Sequence, residues 1–287
     1  MKISVVISVY NEEKRIKKTL DAIYNNTEIP YEVIVVDGGS CDATKKIIRK
    51  YFKNVVVYDN PRRNAAAGRN IGIRRAKGDI IAFTDGDCIV DSKWIENIRK
   101  TFESGEIDGV GGKVLNAEPE NHYEEYWGNL AWNIIMNFPD ESYNVTKKTL
   151  NDAFVTANCA YSRKILYKIK GFNTFFANNA EDVDLCWRAL DSGAKLKYDP
   201  EIMIYAHNVT TLSGIMKKSF RNGVSSSKLQ KIYGGKFNYD PVIYKMLCKN
   251  MLGVVRKEYD SKLNCIELSA HLLGKYYGSI KVGVINI

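Results

Sequence analysis

Several features are missing from this 287-residue sequence, and each absence excludes a class of protein. The six cysteines form no CxxC pair and have no histidines at zinc-ligand spacing, which argues against a disulfide scaffold or a zinc module. No stretch reaches the roughly 18 consecutive apolar residues of a membrane-spanning helix. The N-terminus lacks the apolar length and cleavage site of a signal peptide. We therefore expect a cytoplasmic protein, or one attached peripherally to the inner face of the cell membrane.

Two nucleotide-binding signatures are also absent. No GxGxxG segment follows the first strand-like stretch, so a dinucleotide-binding fold does not fit. No GxxxxGKS/T segment occurs either, which disfavours a P-loop nucleotide hydrolase. Any nucleotide site in this chain must therefore use other residues.

The net charge of +9 is unevenly distributed. Residues 1–207 contain 29 Lys and Arg against 29 Asp and Glu, whereas residues 208–287 contain 13 against 4. This basic C-terminal part suggests an anionic partner, which would be a membrane surface, a lipid phosphate or a nucleic acid. The alternative is a solvated basic surface without a specific partner.

Strand-like and helix-like segments alternate through the first 115 residues. Short apolar runs typical of buried strands occupy Ile3 to Val9, Val33 to Val36, Val55 to Val57 and Ile80 to Thr84. Helical patterns lie between these runs, and Asn11-Glu12-Glu13 is expected to cap the first helix. This alternation predicts an α/β fold with right-handed crossovers and a mostly parallel sheet flanked by helices.

Polar clusters follow three of the predicted strands. They are Tyr10-Asn11-Glu12, Asp37-Gly38-Gly39-Ser40 and Asp85-Gly86-Asp87. Ligands of open α/β sheets bind beyond the carboxyl ends of the strands, so we expect the three clusters to share one crevice. Carboxylates are ligands that Mg2+ and Mn2+ prefer, and the last cluster therefore predicts a metal site, with a plain polar turn as the alternative.

After residue 115 the strand–helix alternation ends. An aromatic segment containing Tyr126, Trp127 and Phe138 is interpreted either as core or as a wall of an acceptor pocket. Further on, Glu181-Asp182-Val183-Asp184 begins a helical pattern. Acidic residues in a first turn are favoured by the helix dipole alone, but three within four residues also suggest a function.

These motifs, in this order, resemble the family 2 glycosyltransferases of the GT-A fold, which are inverting and use nucleotide sugars. The matching segments are Ser8 to Glu13, Val35 to Thr44, Ala67 to Gly72, Gly78 to Asp87 and Glu181 to Arg188. The resemblance covers about residues 1–210 and implies a GT-A catalytic domain there. Its nucleotide-binding half would be residues 1–115 and its acceptor half 116–210, and residues 211–287 would form a basic, mainly helical extension.

The resemblance also implies roles for individual residues at the donor end. Val9, Tyr10 and Glu12 would contact the nucleoside. Asp37 would accept a hydrogen bond from the base. Gly68 and Arg69 would line the nucleotide pocket.

A divalent metal, Mn2+ or Mg2+, is implied at the donor diphosphate. Asp87 would bind the metal, while Asp85 would lie near the ribose and the metal. His207 corresponds to the family's late metal-binding histidine, and Lys217 or Arg221 would reach the diphosphate.

The family's Glu-Asp motif implies the catalytic group. Asp182 would be the general base that takes the proton from the acceptor hydroxyl. Glu181, Asp184 and Arg188 would support it.

This chain departs from the family pattern after the second strand, because it has Gly38 where many members have a side chain. The base is therefore left open, with UDP favoured over GDP. The expected acceptor is a glycan or a lipid-linked or cell-surface glycan precursor.

The sequence leaves two alternative functions. A metal-dependent nucleotidyltransferase should have a glycine-rich basic loop after the first strand, which Tyr10 to Glu13 does not provide. A non-enzymatic sugar-binding or nucleic-acid-binding protein leaves both acidic motifs unexplained. We expect no nucleic-acid partner, because the C-terminal aromatics are clustered with aliphatic residues.

The C-terminal part contains apolar residues interleaved with basic ones, for example Met246, Leu252 and Val255 beside Lys245 and Lys249. A basic amphipathic helix on an anionic membrane surface fits this pattern. Helices packed back on the catalytic domain, or a homodimer, fit it as well.

Overall fold

The computed structural model of this protein describes residues 1–177, 179–234, 237–238, 241–256 and 260–286, without the side chains of residues 132–135, 237–238 and 241. The chain divides into two compact units. Unit 1 comprises Met1–Glu118 and Gly128–His207, and unit 2 comprises Pro119–Trp127 and Asn208–Ile287. The segment Pro119–Trp127 thus groups with the C-terminal residues, whereas the sequence predicts a continuous catalytic domain that ends near residue 210.

The described residues of unit 1 form nine strands. They are β1 (Ile3–Val9), β2 (Glu32–Asp37), β3 (Val55–Asp59), β4 (Ile80–Asp85), β5 (Cys88–Val90), β6 (Gly109–Asn116), β7 (Tyr143–Val145), β8 (Cys159–Ser162) and β9 (Leu196–Ala206). The sheet order is β3-β2-β1-β4-β8-β6-β9-β5, with β7 beside β9. The four strands from β3 to β4 are parallel, and β8, β5 and β7 introduce antiparallel pairs. The α/β fold predicted from the sequence is confirmed.

The described residues before Asn208 form the α-helices α1 (Ile16–Tyr24), α2 (Thr44–Tyr51), α3 (Ala65–Arg75), α4 (Trp94–Glu103), α5 (His122–Gly128), α6 (Arg163–Lys168) and α7 (Glu181–Asp191). Of these, α5 belongs to unit 2 except for Gly128. Buried residues of α1, α2 and α4 join one core cluster, and those of α3, α6 and α7 join another. Because side chains alternate along a strand, β1 contributes Ile7 to the first cluster and Val6 to the second. The sheet is therefore covered on both faces.

The order in which strands are added to the sheet changes side between β1 and β4, although these two strands are parallel. It runs outward from β1 through β2 to β3, and then returns through α3 to β4 on the other side of β1. Such a switch point opens a crevice at the carboxyl ends of the strands. Tyr10 to Glu12 and Asp85 to Asp87 follow the two strands that border it.

The start of α1 differs from the sequence-based prediction. The helix begins at Ile16, and its N-cap residue Arg15 makes no side-chain capping bond. Asn11 has a left-handed backbone with φ of 57°, and its Oδ1 accepts a hydrogen bond from the amide of Cys41. The Glu13 side chain accepts from the amide of Ala43. The prediction that Asn11 to Glu13 cap α1 is wrong, because the Asn11 and Glu13 side chains bond to the loop after β2 instead.

Unit 2 is mainly helical. It contains α8 (Leu212–Leu229), a π-helical segment at Gln230–Gly234, β10 (Phe237–Asn238), α9 (Pro241–Val255), α10 (Ser261–Val282) and β11 (Ile285–Asn286). α8 and α10 pack very closely: a Cβ at Gly223 would lie 2.0 Å from the carbonyl oxygen of His271, and one at Gly274 would lie 2.0 Å from that of Phe220. Among the described residues, no helix has the length and apolarity needed to cross a membrane.

The aromatic residues of α5 are part of the core of unit 2. Tyr126 and Trp127 are both buried. The hydroxyl of Tyr126 donates to Asn264 Oδ1 at 2.7 Å, and the Lys218 ammonium lies 5.2 Å from the centroid of the Trp127 ring. Of the two interpretations of this segment, core packing holds for these two residues, and a pocket wall does not.

Candidate active site

The loops after β1, β2 and β4 lie side by side in unit 1. Strand pairing aligns Val9 with Asp37 and Ser8 with Asp85. The amide of Asn11 donates to Ser40 Oγ at 2.9 Å, which fastens the loop after β1 to the loop after β2. The three polar clusters therefore meet at one edge of the sheet, as their positions after parallel strands require.

Asp37 shapes the loop after β2. Its side chain is completely buried, and its Oδ2 accepts hydrogen bonds from the amides of Gly39 and Ser40, each at 3.0 Å. Lys45 Nζ lies 3.4 Å from the same oxygen. The loop amides and Lys45 thus hold the Asp37 carboxylate in place, and its hydrogen bond with the base stays a prediction.

Tyr10 is exposed beside that loop and packs against the buried Gly38. Tyr10 is 58% exposed, and its side-chain carbon Cδ2 lies 3.7 Å from where a Cβ of Gly38 would be. Val9 is buried, and its carbonyl oxygen accepts from the amide of Gly38 at 2.8 Å. Tyr10 is thus available to a ligand, whereas the Val9 side chain is not.

Arg63 lies on the same surface, although the sequence did not single it out. It belongs to the turn after β3, with a left-handed φ of 52°, and its Nε lies 3.1 Å from where a Cβ of Gly39 would be. The side chain is exposed, and among the described residues it has no carboxylate partner. An arginine held in a conformation that few L-residues adopt was not recognisable from the sequence.

Three carboxylates crowd the end of β4. A Cβ at Gly86 would lie 2.9 Å from Val9 Cγ1 and 3.1 Å from Glu12 Cγ, so Glu12 packs directly against the Asp-Gly-Asp turn. Burial, and next the Asp87 carboxylate, raise the pKa of Glu12 to about 8. This crowding produces a negative potential that a cation would relieve.

The pairing of β5 with β9 brings His207 to the same turn. Cys88 pairs with Ala206, and the amide of His207 donates to the carbonyl oxygen of Asp87 at 3.2 Å. The side chains of Asp87 and His207 are both partly exposed. Carboxylate oxygens and an imidazole nitrogen are suitable ligands for Mn2+, so this donor set fits a divalent cation.

Arg69 connects the two acidic motifs. It is buried, its Nη2 donates to Asp85 Oδ1 at 2.8 Å, and its Nη1 donates to Glu181 Oε1 at 2.6 Å. The guanidinium carbon also lies 5.7 Å from the centroid of the Phe172 ring. The two carboxylates raise the pKa of Arg69 and keep it charged despite its burial. Arg69 thus bridges Asp85 and Glu181 and has little exposed surface of its own.

Gly68, the neighbour of Arg69, has a packing role. A Cβ at this position would lie 2.6 Å from Ser8 Oγ and 3.1 Å from Asn60 Nδ2. The glycine lets α3 approach β1 closely. In the structure it is buried against the strand, and its contact with the nucleotide stays a prediction.

Glu181 and Asp182 begin α7. Glu181 is buried, and desolvation raises its pKa to about 7, although Arg69 acts in the opposite direction. Its Oε2 has no hydrogen-bond partner among the described residues. Asp182 is half-buried, its Oδ1 accepts from the amide of Val183 at 2.9 Å, and burial raises its pKa as well.

Asp184 and Arg188 hold the structure behind this motif. Arg188 Nε donates to Asp184 Oδ2 at 2.7 Å, and its other nitrogens donate to the carbonyl oxygens of Ile169 and Gly171. The turn at Ile169 to Gly171 leads directly into Phe172. The arrangement is consistent with the supporting roles predicted for Asp184 and Arg188.

Asn70 is a second residue that the sequence did not single out. Its Nδ2 donates to the carbonyl oxygen of Phe172, and its Oδ1 accepts from the Phe172 amide, both at 2.8 Å. The pair ties α3, which carries Arg69, to the chain before α7. The only signal in the sequence was its place next to Arg69 in a recognised motif.

Lys217 and Arg221 belong to unit 2. Both are exposed on α8, and Arg221 Nε donates to the carbonyl oxygen of Lys217 at 3.2 Å. Their contact with a donor diphosphate stays a prediction.

The fold and the site define an enzyme of the transferase class. Residues 4–170 match Glycosyl transferase family 2, and the chain belongs to this family. Glycosyltransferase AglE of Haloferax volcanii is 31% identical over 227 residues, which make up 77% of this chain and 71% of that protein. A Methanococcus voltae relative is 25% identical over 252 residues, covering 82% and 75% of the two chains. It is named dolichyl N-acetyl-alpha-D-glucosaminyl phosphate 3-beta-D-2,3-diacetamido-2,3-dideoxy-beta-D-glucuronosyltransferase.

Two solved structures share the fold. Mannosyltransferase PcManGT of Pyrobaculum calidifontis, in complex with GDP-Man and Mn2+, superposes with a TM-score of 0.67 at 16% identity, covering 96% of this chain and 86% of that one. The S. aureus TarS 1–349 complex with UDP gives 0.58 at 16% identity, covering 96% and 91%. The GT-A fold is confirmed, and the protein is a glycosyltransferase, as the sequence predicted. The nucleotidyltransferase and the non-enzymatic alternatives gain no support.

Proposed function

We propose that this glycosyltransferase moves a sugar from a nucleoside diphosphate to an acceptor hydroxyl with inversion at the anomeric carbon. The observation that carries the proposal is the Arg69 bridge, which brings Asp85 of the first acidic motif and Glu181 of the second to one guanidinium. A donor site and a proton acceptor are needed close together for such a transfer, and the bridge supports that proximity.

The donor diphosphate is assigned to the end of β4. Asp87, Asp85 and His207 would hold Mn2+ or Mg2+, and the metal would neutralise the charge of the departing diphosphate. The crowded carboxylates and the raised pKa of Glu12 support a cation here. Because Asp85 also pairs with Arg69, the guanidinium fixes the orientation of one ligand.

The base and ribose are assigned to the exposed surface formed by Tyr10, Gly39 and Arg63. Neighbouring strands are about 4.8 Å apart, so the end of β2 lies roughly 10 Å from the end of β4. A nucleoside diphosphate is long enough to extend over that distance. Tyr10 offers an aromatic surface, and Arg63 offers donors for base carbonyl groups. Uracil is our preferred base, although PcManGT and TarS were solved with different nucleotides.

Asp182 is the proposed general base. Asp85 and Glu181 are both engaged by Arg69, whereas Asp182 is half-buried beside them. The acceptor oxygen forms a bond to the anomeric carbon as the bond from that carbon to the phosphate oxygen breaks. The acceptor proton moves to the Asp182 carboxylate, and the nucleoside diphosphate leaves with the bonding electrons.

For the acceptor we propose a lipid-linked or cell-surface glycan precursor. The name of the Methanococcus voltae relative describes a dolichyl-linked sugar phosphate as its acceptor, which supports this class. We also retain the proposal that residues 1–210 form the catalytic domain, with the nucleotide-binding half at 1–115, the acceptor half at 116–210 and the extension at 211–287.

Two variants separate donor binding from catalysis. We expect UDP or GDP to raise the melting temperature of the wild type in the presence of Mn2+ and much less without it. Asp87→Ala should abolish the metal-dependent shift. Asp182→Asn should keep the shift and lose turnover by about a thousand-fold or more, because the carboxamide cannot accept the proton.

The measurements are thermal unfolding with a panel of nucleotides and nucleotide sugars, and release of nucleoside diphosphate. Asp79→Asn is a suitable control, since Asp79 lies at the opposite end of β4. A wild type that no nucleotide stabilises would contradict the donor site. Retention of more than about a tenth of the activity in Asp182→Asn would contradict its role as the base.

A further inference from the structure

The exposed side of α10 is apolar. Leu273, Tyr276, Tyr277 and Ile280 recur at intervals of three and four residues, so they share one side of the helix. They are exposed, and Ile280 has 84% of its surface accessible. Scattered exposed apolar residues are ordinary, but a continuous stripe along one helix marks an interaction surface.

α9 carries a second exposed apolar group beside it. Val242, Met246, Leu252 and Val255 are exposed, Val255 at 80%. The hydroxyls of Tyr244 on α9 and Tyr276 on α10 lie 2.8 Å apart, so the two helices are neighbours at this point.

The charges on these helices have one sign. Lys245, Lys249 and Arg256 are exposed on or directly after α9. Within α9 and α10 the single acidic residue is Glu267, which is 8% exposed. Asp260, just before α10, lies 3.1 Å from His122 Nε2. The two helices therefore combine exposed aliphatic side chains with cations and present no exposed carboxylate.

We propose that this apolar-basic surface docks the protein on an anionic lipid bilayer. The surface is defined by Val242, Lys245, Met246, Lys249, Leu252, Val255 and Arg256 with Leu273, Tyr276, Tyr277 and Ile280. Aliphatic side chains enter the boundary between headgroups and acyl chains, while lysines extend to the lipid phosphates. These observations belong to unit 2 and do not depend on the proposed sugar transfer.

Two other occupants fit the surface less well. A second copy bound through the same surface would place Lys245 and Lys249 near their own counterparts, and α9 and α10 present no exposed carboxylate to pair them, which is repulsive. A nucleic acid would use the cations but would leave Val255 and Ile280 against a hydrated phosphate backbone. Only a bilayer has both an anionic and an apolar layer.

The full chain is tested by co-sedimentation with vesicles of phosphatidylcholine, with or without phosphatidylglycerol, at low and high salt. We expect the wild type to pellet with the anionic vesicles at low salt and less at high salt. Removing charge with Lys245→Gln and Lys249→Gln should weaken binding by about five-fold per lysine at low salt. Val255→Ser with Ile280→Ser should weaken it at both salt concentrations, since the apolar contribution is not screened.

Matched controls come from unit 1. Ile29 is 67% exposed and Lys46 is also exposed, so Ile29→Ser and Lys46→Gln make the same chemical changes elsewhere. They should bind vesicles like the wild type, and all variants should keep its melting temperature and its nucleotide-induced stabilisation. Absence of wild-type binding to anionic vesicles at low salt overturns the proposal. A second result would also overturn it: the wild type is a dimer in sedimentation velocity, and the double variant Val255→Ser with Ile280→Ser is a monomer that binds vesicles as the wild type does.

Discussion

At the scale of single residues, the partner of each carboxylate determines what it can do. Asp37 is enclosed by amides, and Asp85 and Glu181 share Arg69. Asp182 accepts a hydrogen bond from the neighbouring amide of Val183 and has a raised pKa. A carboxylate with these properties is a better proton acceptor than one neutralised by a guanidinium.

Glu181→Gln tests this assignment through the pH dependence of activity. Asp182 must be ionised to act as a base, so kcat/KM should rise with pH through its pKa, which burial places above the ordinary value. The substitution removes a negative neighbour and leaves Arg69 with one carboxylate fewer. Both effects favour the ionised form of Asp182 and lower its pKa. We therefore expect the rising limb of the profile to move to lower pH.

The measurement is kcat/KM from the acid range to pH values above the Glu181 pKa of about 7, where Glu181 is ionised. Glu103→Gln, an exposed change at the end of α4, should leave the profile in place. In Glu181→Gln, the rise of kcat/KM with pH could stay in place or move to higher pH. Either result would show that Asp182 is not the titrating base or that Glu181 does not act on it.

At the scale of elements, the position of α3 determines where Arg69 and Asn70 lie in the site. It follows the strand at the edge of the parallel half, crosses the sheet on the opposite face from α1 and α2, and carries Arg69 and Asn70. Its glycines allow a very close approach to β1, since a Cβ at Gly72 would lie 2.2 Å from Val6 Cγ1. The distance between helix and strand therefore fixes where the Arg69 guanidinium lies.

Gly72→Ala should weaken this packing. The added methyl overlaps Val6, which is fully buried in β1, and the overlap cannot be relieved by a flexible chain end. Overpacking costs about 1 to 3 kcal/mol, and the better helix propensity of alanine offsets up to about 1 kcal/mol of this. We expect a lower free energy of unfolding in urea and a lower kcat, because Arg69 shifts with the helix.

Gly105→Ala is the matched control, since a Cβ at Gly105 meets nothing within 4 Å. It should change stability by less than about 0.5 kcal/mol. Equal stability of the two variants would mean that α3 does not depend on this close approach.

At the scale of the whole molecule, the acidic motifs and the basic charge excess belong to different units. Unit 1 holds the acidic motifs, and the excess of positive charge belongs to residues 208–287. All six cysteines are free thiols, and two of them are exposed, Cys41 in unit 1 and Cys248 in unit 2. Each unit therefore contains one exposed thiol that an alkylating reagent can label.

Thiol labelling should report donor binding in unit 1 alone. The Cys41 amide donates to Asn11 in the loop assigned to the nucleoside. A bound nucleoside diphosphate with Mn2+ should slow alkylation of Cys41 and leave that of Cys248 unchanged. Mass spectrometry of peptides after brief exposure to iodoacetamide measures both rates in one sample. Protection of both thiols, or of Cys248 alone, would place the nucleotide elsewhere.

The sequence by itself determined the α/β fold and the position of the three polar clusters after parallel strands. These depend on local patterns: β-branched runs make buried strands, and the carboxyl ends of parallel strands meet at one edge. The family was also recognisable, because its motifs keep their order along the chain.

Only the tertiary structure decided how the acidic residues are paired. Arg69 meets Glu181 across 112 positions, and no local pattern encodes a pair so distant. Folding buried the Asp37 side chain within its own loop and Gly68 against β1, while packing within unit 2 buried Tyr126 and left Ile280 exposed. The physical reason is that hydrogen-bond partners and desolvation depend on which side chains come together in space, whereas the sequence shows only which residues are available.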